Sequence, residues 1–352
     1  MGFEPPSDAA VIAFLQQSLG LSCDRLTPLQ GGRNSRVFSA LCAGGTRVVV
    51  KSYHRSESDP RERLKTEWDA FTFLKQQGVS WVPQPLSCDT GLQMAVYESI
   101  SGDPPLNGPL YSCDIQQAVN ALSTLFRLSQ TLPEAAERFA PASEACFSIE
   151  AVFESLRGRL ALLTASAVSS PALRTFLEGE LLPFEMEIKA WCKSSANKTG
   201  VTLAECLPNS ARTLSPSDFG FHNALRRGGG QLVFLDFEYF GWDDPAKTAV
   251  DFLLHPAMRL TRDQQHEFLS GVMLAFGGLT HLHDRIKLVF PLFGLKWCCI
   301  LLNDFTRNHL QRRIFSGSTS SDASLLEQKK ITQLAKARAM LHYIQNAHLR
   351  FP

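Results

Sequence analysis

The segment Ser215-Pro-Ser-Asp-Phe-Gly-Phe-His-Asn223 places a carboxylate, Asp218, five positions ahead of a carboxamide, Asn223. A second carboxylate follows in Asp236-Phe-Glu238. Gly228, Gly229 and Gly230 mark a turn between them that centres near residues 229 to 230, and Asn223 and Asp236 lie at equal sequence distance from that centre. If His222 to Arg227 and Gln231 to Phe237 pair as a hairpin in simple register, the two side chains face each other at about 5 Å between Cβ atoms. Oxygen donors of this kind, few in number and completed by phosphates and water, suit Mg²⁺. Asp218, just before the hairpin, is then placed to take a proton from an attacking hydroxyl. Each fragment alone also fits a turn cap or a solvated strand end, and the common symmetry about one turn is what argues for a site.

A second set lies near the N-terminus. Val48-Val-Val-Lys51 puts a lysine at the end of an apolar strand, where a long cationic side chain needs an anionic partner. In the helix expected next, Leu64, Trp68 and Phe71 form an apolar stripe, and Glu67 falls on the same face by three- and four-residue spacing. Lys51 and Glu67 are therefore expected to pair, which would hold the ammonium ready for phosphates. The alternative is a snorkelling Lys51 with Glu67 half exposed. Gly31-Gly-Arg-Asn-Ser-Arg-Val37 reads either as a phosphate-covering turn or as an ordinary hairpin turn. Only Gly32 and Val37 coincide with the G-x-G-x-x-G-x-V spacing, so Ser35 and amides around Asn34 would have to serve for the missing glycines.

The elements that must position these residues fall into two parts. Ser35 to Leu41 and Thr46 to Tyr53 are rich in β-formers and flank a turn at Cys42 to Gly45. Ser58 or Asp59 is expected to cap a helix that has Pro60 in its first turn and Gly78 at its end. Met94 to Glu98 is a further strand, and Ser101 to Pro109, rich in proline and glycine, is a plausible hinge. Beyond it, Asp114 to Gln130, most of Ile149 to Lys193 and much of Asp263 to Ala347 show helical spacing, interrupted by the hairpin. Ser316 to Ser324 has the composition of a surface loop. Asp244 before Pro245 is a good N-cap. On a strand, His222 would point away from Asn223, into packing or solvent. His281 and His283 lack the further ligand pair that zinc would need.

Composition narrows the class. Of 352 residues 44% are apolar and 20% charged, enough to bury one large core or two lobes around a cleft. Thirty-five basic residues against thirty-four acidic ones give no excess charge for nucleic acid or an anionic membrane. A small ligand is the better expectation. Met1 to Ala10 shows no basic and apolar export signal, and the scattered cysteines suit a reducing cytoplasm. Leu288 to Leu302, interrupted by Pro291 and Lys296, is too short to span a bilayer and reads as a buried helix.

Taken in order, the glycine turn, Val-Val-Val-Lys51, Glu67, Tyr97-Glu-Ser-Ile-Ser-Gly102, Asp218 to Asn223 and Asp236-Phe-Glu-Tyr239 resemble the aminoglycoside phosphotransferase and choline kinase family. The resemblance covers most of residues 27 to 256. It implies an α+β, bilobal protein-kinase-like fold, with a small β-rich N-lobe over residues 1–100 and a larger, mainly helical C-lobe over residues 101–352. It also implies ATP and Mg²⁺, and phosphate transfer to a small-molecule hydroxyl. By position Asp218 would be the catalytic base, Asn223 and Asp236 the metal ligands, Lys51 the phosphate anchor and Glu67 its orienter. Gly32 and Ser35 would cover phosphates, and Tyr97 and Glu98 would hold adenine through backbone groups. Asp251 matches an aspartate that supports the catalytic loop. Glu238 reads as a contact to a second metal or as a solvated strand end. Phe240, Trp242 and Trp297 would stack on a sugar or amine, or pack in the core. Pro216 stands where the family usually has histidine, two residues before the aspartate. A catalytically inactive pseudokinase that binds nucleotide is the competing expectation.

Overall fold

Strict alternation of side chains organises the N-terminal part. In the computed structural model, which describes residues 6–29, 35–55, 59–132, 138–258, 260–306 and 323–350, this part is a five-stranded antiparallel sheet. Its order is β1 (Cys23–Leu29), β2 (Ser35–Cys42), β3 (Arg47–Tyr53), β5 (Met94–Glu98) and β4 (Pro85–Asp89). Phe38, Ala40, Val48, Val50, Met94 and Val96 face one way and bury against Val11, Phe14 and Leu15 of α1 (Asp8–Leu19). Tyr53, Ala95 and Tyr97 face the other way, toward Leu64 and Phe71 of α2 (Arg63–Gln76). Lys51 lies on that inner face, two positions before Tyr53 on β3. The β2–β3 turn runs through Gly44 and Gly45 at φ 75° and 80°, a left-handed backbone that glycine adopts without strain.

Helix α2 starts later than its capping signals suggested. Its N-cap is Glu62, without a side-chain cap bond. Asp59 pairs instead with Arg61 at 2.7 Å and Arg63 at 2.5 Å, so the carboxylate offered as a cap is taken up by arginines. Ser58 lies outside the described residues.

The remainder is mainly helical: α3 (Ser112–Thr131), α4 (Ile149–Ala167), α5 (Pro171–Phe176), α6 (Leu182–Thr199), α7 (Pro245–Leu254), α8 (Arg262–Ala275), α9 (Leu282–Leu301) and α10 (Ala323–Ala347). Between α6 and α7, β6 (Thr213–Ser215) pairs with β9 (Gly241–Asp243), and β7 (Ala224–Arg226) pairs with β8 (Leu232–Phe234). Helix α9 is long and apolar enough to cross a membrane, but its most apolar window is 72% buried within the protein. Its Lys296 is buried with its ammonium 3.0 Å from Glu144. Most of the expected loop at 316–324 lies outside the described residues, and α10 begins inside its end. One buried cluster continues from the inner face of the sheet and α2 through Phe234, Phe237 and Phe240 into α7 and α9. The sheet and the helices therefore share a core.

Candidate active site

Lys51, Glu67 and Asp236 meet where the sheet faces the helical part. Strand β3 carries Lys51, α2 carries Glu67, and Asp236 follows β8. The Lys51 ammonium lies 2.6 Å from Glu67, 2.5 Å from Asp236 and 3.6 Å from Glu238. Lys51, Glu67 and Glu238 are buried, whereas the Asp236 side chain is 38% exposed. Tyr53 donates its hydroxyl proton to Glu67 at 2.8 Å, and the Phe237 N–H donates to the other Glu67 oxygen at 3.2 Å. Glu67 is thus fixed on both oxygens by β3 and by the segment that bears Asp236.

Burial works against every charge in this group. It pulls the Lys51 ammonium down, but Asp236, Glu67 and Glu238 outweigh it, and the net shift is strongly upward. Glu67 is raised, because burial exceeds the opposing pull of Lys51. Glu238 is pushed up to about 7, first by burial and then by the Asp236 carboxylate, although Lys51 and Arg63 draw it back. Glu238 is therefore no solvated strand end.

Asp218 lies on the loop that leaves β6. Ser217 before it has φ 67°, a left-handed conformation costly for a side-chain-bearing residue, and Asp236 has φ 64°. Two such residues beside the carboxylates argue that the surrounding structure imposes their placement. The hairpin is one residue out of the expected register. Ala224 pairs with Phe234, and the Leu235 N–H donates to the Asn223 carbonyl at 2.8 Å, so Leu235 and not Asp236 stands opposite Asn223. The left-handed turn at Asp236 then swings its carboxylate to Lys51. Asn223 sits at the end of a short 3-10 turn (Phe221–Asn223) and donates its amide to the Asp218 carbonyl at 3.0 Å.

That 3-10 turn also overturns the expectation for His222. The residue is not on a strand, and its Nε2 reaches Asp218 Oδ1 at 3.1 Å. His255, at the end of α7, brings its Nε2 to 3.6 Å from the same oxygen. No periodicity or motif singled out His255. Lys247 of α7 was likewise missed: it is buried, pairs with Asp243 at 2.7 Å and Asp251 at 3.0 Å, and donates to Ser217 Oγ at 3.2 Å. Asp244 caps α7 as expected, accepting from the Ala246 N–H at 2.8 Å, and also pairs with Arg285 at 2.7 Å.

Other expected residues lie less directly at the centre. Gly32 is outside the described residues. Ser35 is buried at the first position of β2. Tyr97 is buried, with its hydroxyl 2.7 Å from that of Tyr53. Glu98 pairs with Arg227 at 2.9 Å, and its N–H already donates to the Gln84 carbonyl at 2.9 Å. That N–H is therefore not available to adenine, because the sheet edge uses it. Phe240 and Trp242 are core residues, whereas Trp297 is half-buried, edge-on to His255.

The donor chemistry suits Mg²⁺. Oxygens of Glu67, Asp236 and Glu238 lie within 4.8 Å of one another around the Lys51 ammonium, and the Asn223 side chain is tied to the Asp218 carbonyl. Hard oxygen donors with a partly exposed edge are what such an ion takes when phosphates complete its shell.

A model of the phosphotransferase enzyme family (APH) matches residues 25–288. No curated protein matches the chain. Among solved structures, the spectinomycin phosphotransferase APH(9)-Ia in complex with ADP and spectinomycin is similar at a TM-score of 0.59 and 11% identity, over 94% of this chain and 99% of that one. The choline kinase LicA from Streptococcus pneumoniae is similar at 0.57 and 13% identity, over 96% and 99%. An ethanolamine kinase of Plasmodium vivax is similar at 0.52 and 15% identity, over 92% and 83%. At these identities the likeness is one of fold.

Proposed function

The chain belongs to the phosphotransferase enzyme family, and we propose that it transfers the γ-phosphate of ATP, with Mg²⁺, to a hydroxyl of a small molecule such as a sugar, an amino alcohol or an aminoglycoside. The observation that carries this reading is the convergence of Lys51, Glu67 and Asp236 from three separate elements. A buried lysine so placed is a fixed cation for nucleotide phosphates, and Glu67 holds it through a partner that is itself tied to Tyr53 and Phe237. Asn223 and Asp236 would hold Mg²⁺, which when bound supplies positive charge against the phosphates. Asp218 takes the acceptor's proton as the hydroxyl oxygen bonds to the γ-phosphorus and the bond to the β-phosphate bridging oxygen breaks, leaving ADP. Positioning and charge neutralisation account for the catalysis, with no covalent intermediate. The small-molecule acceptor is supported by the spectinomycin, choline and ethanolamine kinases of like fold.

Purified protein is tested first by thermal shift with ATP, with and without Mg²⁺. A larger upward shift with Mg²⁺ is expected, and no metal dependence at saturating ATP overturns the metal assignment. Turnover is then measured as ADP release over choline, ethanolamine, sugars and aminoglycosides. Release above the water background with one class identifies the acceptor. Mg²⁺-dependent ATP binding without turnover on any of them returns the chain to the pseudokinase reading, which Pro216 favours.

A further inference from the structure

Asp218 Oδ1 is approached by two imidazoles that lie face to face. The His222 and His255 rings are 3.6 Å apart at 6° between planes, and both present Nε2 to the same oxygen. Their opposite nitrogens fix which atom carries the proton. His255 Nδ1 accepts from the Ala257 N–H at 3.3 Å, so its proton belongs on Nε2. His222 Nδ1 is buried and has no hydrogen-bond partner among the described residues, so a proton there would be stranded. In its neutral form each ring therefore carries its N–H on the side of Asp218.

The pair is built in from both directions. A Cβ at Gly220 would lie 2.8 Å from His222 Nδ1, so a glycine there lets the ring close on the loop. Trp297 stands edge-on to His255 at 4.7 Å, donates to Asp251 at 3.1 Å, and Asp251 pairs with Lys247. Lys247 donates to Ser217 Oγ, on the residue before Asp218. The circuit from Ser217 through α7 and α9 thus returns to the Asp218 carboxylate. Two histidines and a carboxylate are also a metal-ligand set, but a metal must lie in the plane of each ring. Parallel rings 3.6 Å apart leave any shared ion well outside the plane of at least one of them.

We propose that His222 and His255 are the positioning residues of Asp218. His222 donates its Nε2–H to Oδ1 and sets the carboxylate plane. His255 holds the His222 ring by stacking and adds a second N–H donor 3.6 Å from the same oxygen, a contact that tightens once the acceptor is bound. Pro216 is then no defect in the loop, because the orienting imidazoles come from residues that follow it in the chain. The inference rests on Asp218 being the base.

The test uses the full chain and three variants. His222→Phe keeps the stack and removes the donor, His222→Gln restores a donor near the same reach, and His255→Ala removes the stack. With a hydroxyl acceptor from the panel above, or with water as acceptor, His222→Phe is expected to lower kcat about 10- to 100-fold while KM for ATP stays within about twofold. His222→Gln recovers most of that loss, and His255→Ala falls between. Parental kcat in His222→Phe, or equal loss in Phe and Gln, overturns the proposal. Asp218→Asn separates the two levels: if it keeps turnover the base assignment itself fails, whereas if it alone loses turnover only the histidine inference fails. Imidazole ¹H–¹⁵N spectra decide where nothing turns over. Both rings are expected as the Nε2–H tautomer, with the His222 signal moving in Asp218→Asn. An Nδ1–H tautomer at His222, or no response to that substitution, overturns the proposal.

Discussion

Lys51 stands against three carboxylates, so its removal differs in kind from loss of a surface ion pair. Glu67 and Glu238 are buried with it, while Asp236 is partly solvated and its share is screened. Truncating one member of a buried pair leaves the other's charge without compensation. Lys51→Met is therefore expected to lower unfolding stability by about 3–5 kcal/mol in urea denaturation, with turnover lost. Adding Glu67→Gln should return part of the stability, because it removes one of the stranded charges. A loss below about 1 kcal/mol would mean that the cluster is effectively solvated. The Lys51–Glu67 contact was legible in the sequence, because a lysine ending an apolar strand needs an anionic partner and the α2 stripe puts Glu67 on the buried face. The placement of Asp236 was legible only in part. Symmetry about the glycine turn put it beside Asn223, but the pairing closes one residue short, and the left-handed backbone at Asp236 carries it to Lys51 instead. His255 was illegible, since its partner Asp218 lies 37 positions away and leaves no local pattern. Lys247 has Asp243 and Asp251 four residues to either side, a helical spacing that was overlooked, and only its bond to Ser217, 30 positions away, leaves no local trace.

Loops hold helices together here through charge as well as apolar contact. Glu144, between α3 and α4, pairs with Arg159 of α4 at 2.7 Å and with Lys296 of α9 at 3.0 Å. Burial alone would raise this carboxyl, but Lys296 and Arg159 outweigh it and hold it at about 2, below its ordinary 4.5. A depressed folded-state value means stability that is present above the unfolded value and lost as pH falls from about 4.5 through about 2. Glu144→Gln should thus be less stable than the parent at pH 5, and the two melting temperatures should converge toward pH 2. A constant difference across that window would show that the carboxylate's charge is not what clamps the helices. At this scale the strands around the Gly44–Gly45 turn and the long helices followed from pattern. Helix α1 did not, although Ser7 caps it by accepting from the Ala10 N–H and Gly20 ends it at φ 67°. Its apolar face covers the sheet, and only the packed sheet shows what it is for. The start of α2 was misplaced because Asp59 prefers two arginines to a helix end.

The relation between sheet and helices turns on the segment between them, which its prolines and glycines suggested was a hinge. It is strapped to the β7–β8 hairpin. The Asp103 N–H donates to the Arg226 carbonyl at 3.1 Å, the Arg226 N–H returns to Asp103 at 2.8 Å, and the Arg226 guanidinium grips buried Asp114 at 2.6 Å. Gly102 lies so close to this hairpin that a Cβ would meet the Arg226 carbonyl oxygen at 2.5 Å. The same hairpin leads to Asp236, so the strap sets how the helical part presents its carboxylate to Lys51 on the sheet. Gly102→Ala is accordingly expected to force strap and hairpin apart, at a cost of about 1–3 kcal/mol in urea denaturation. It should also reduce the extra thermal stabilisation that Mg²⁺ adds to ATP. Gly108→Ala is the control within the same segment, because a Cβ there meets nothing within 4 Å and its φ of −141° suits any residue. That variant should stay within about 0.5 kcal/mol of the parent and keep the full Mg²⁺-dependent shift. If the two variants behave alike, the segment is the hinge that its composition suggested, and the sheet and helices are held in register by their shared core alone.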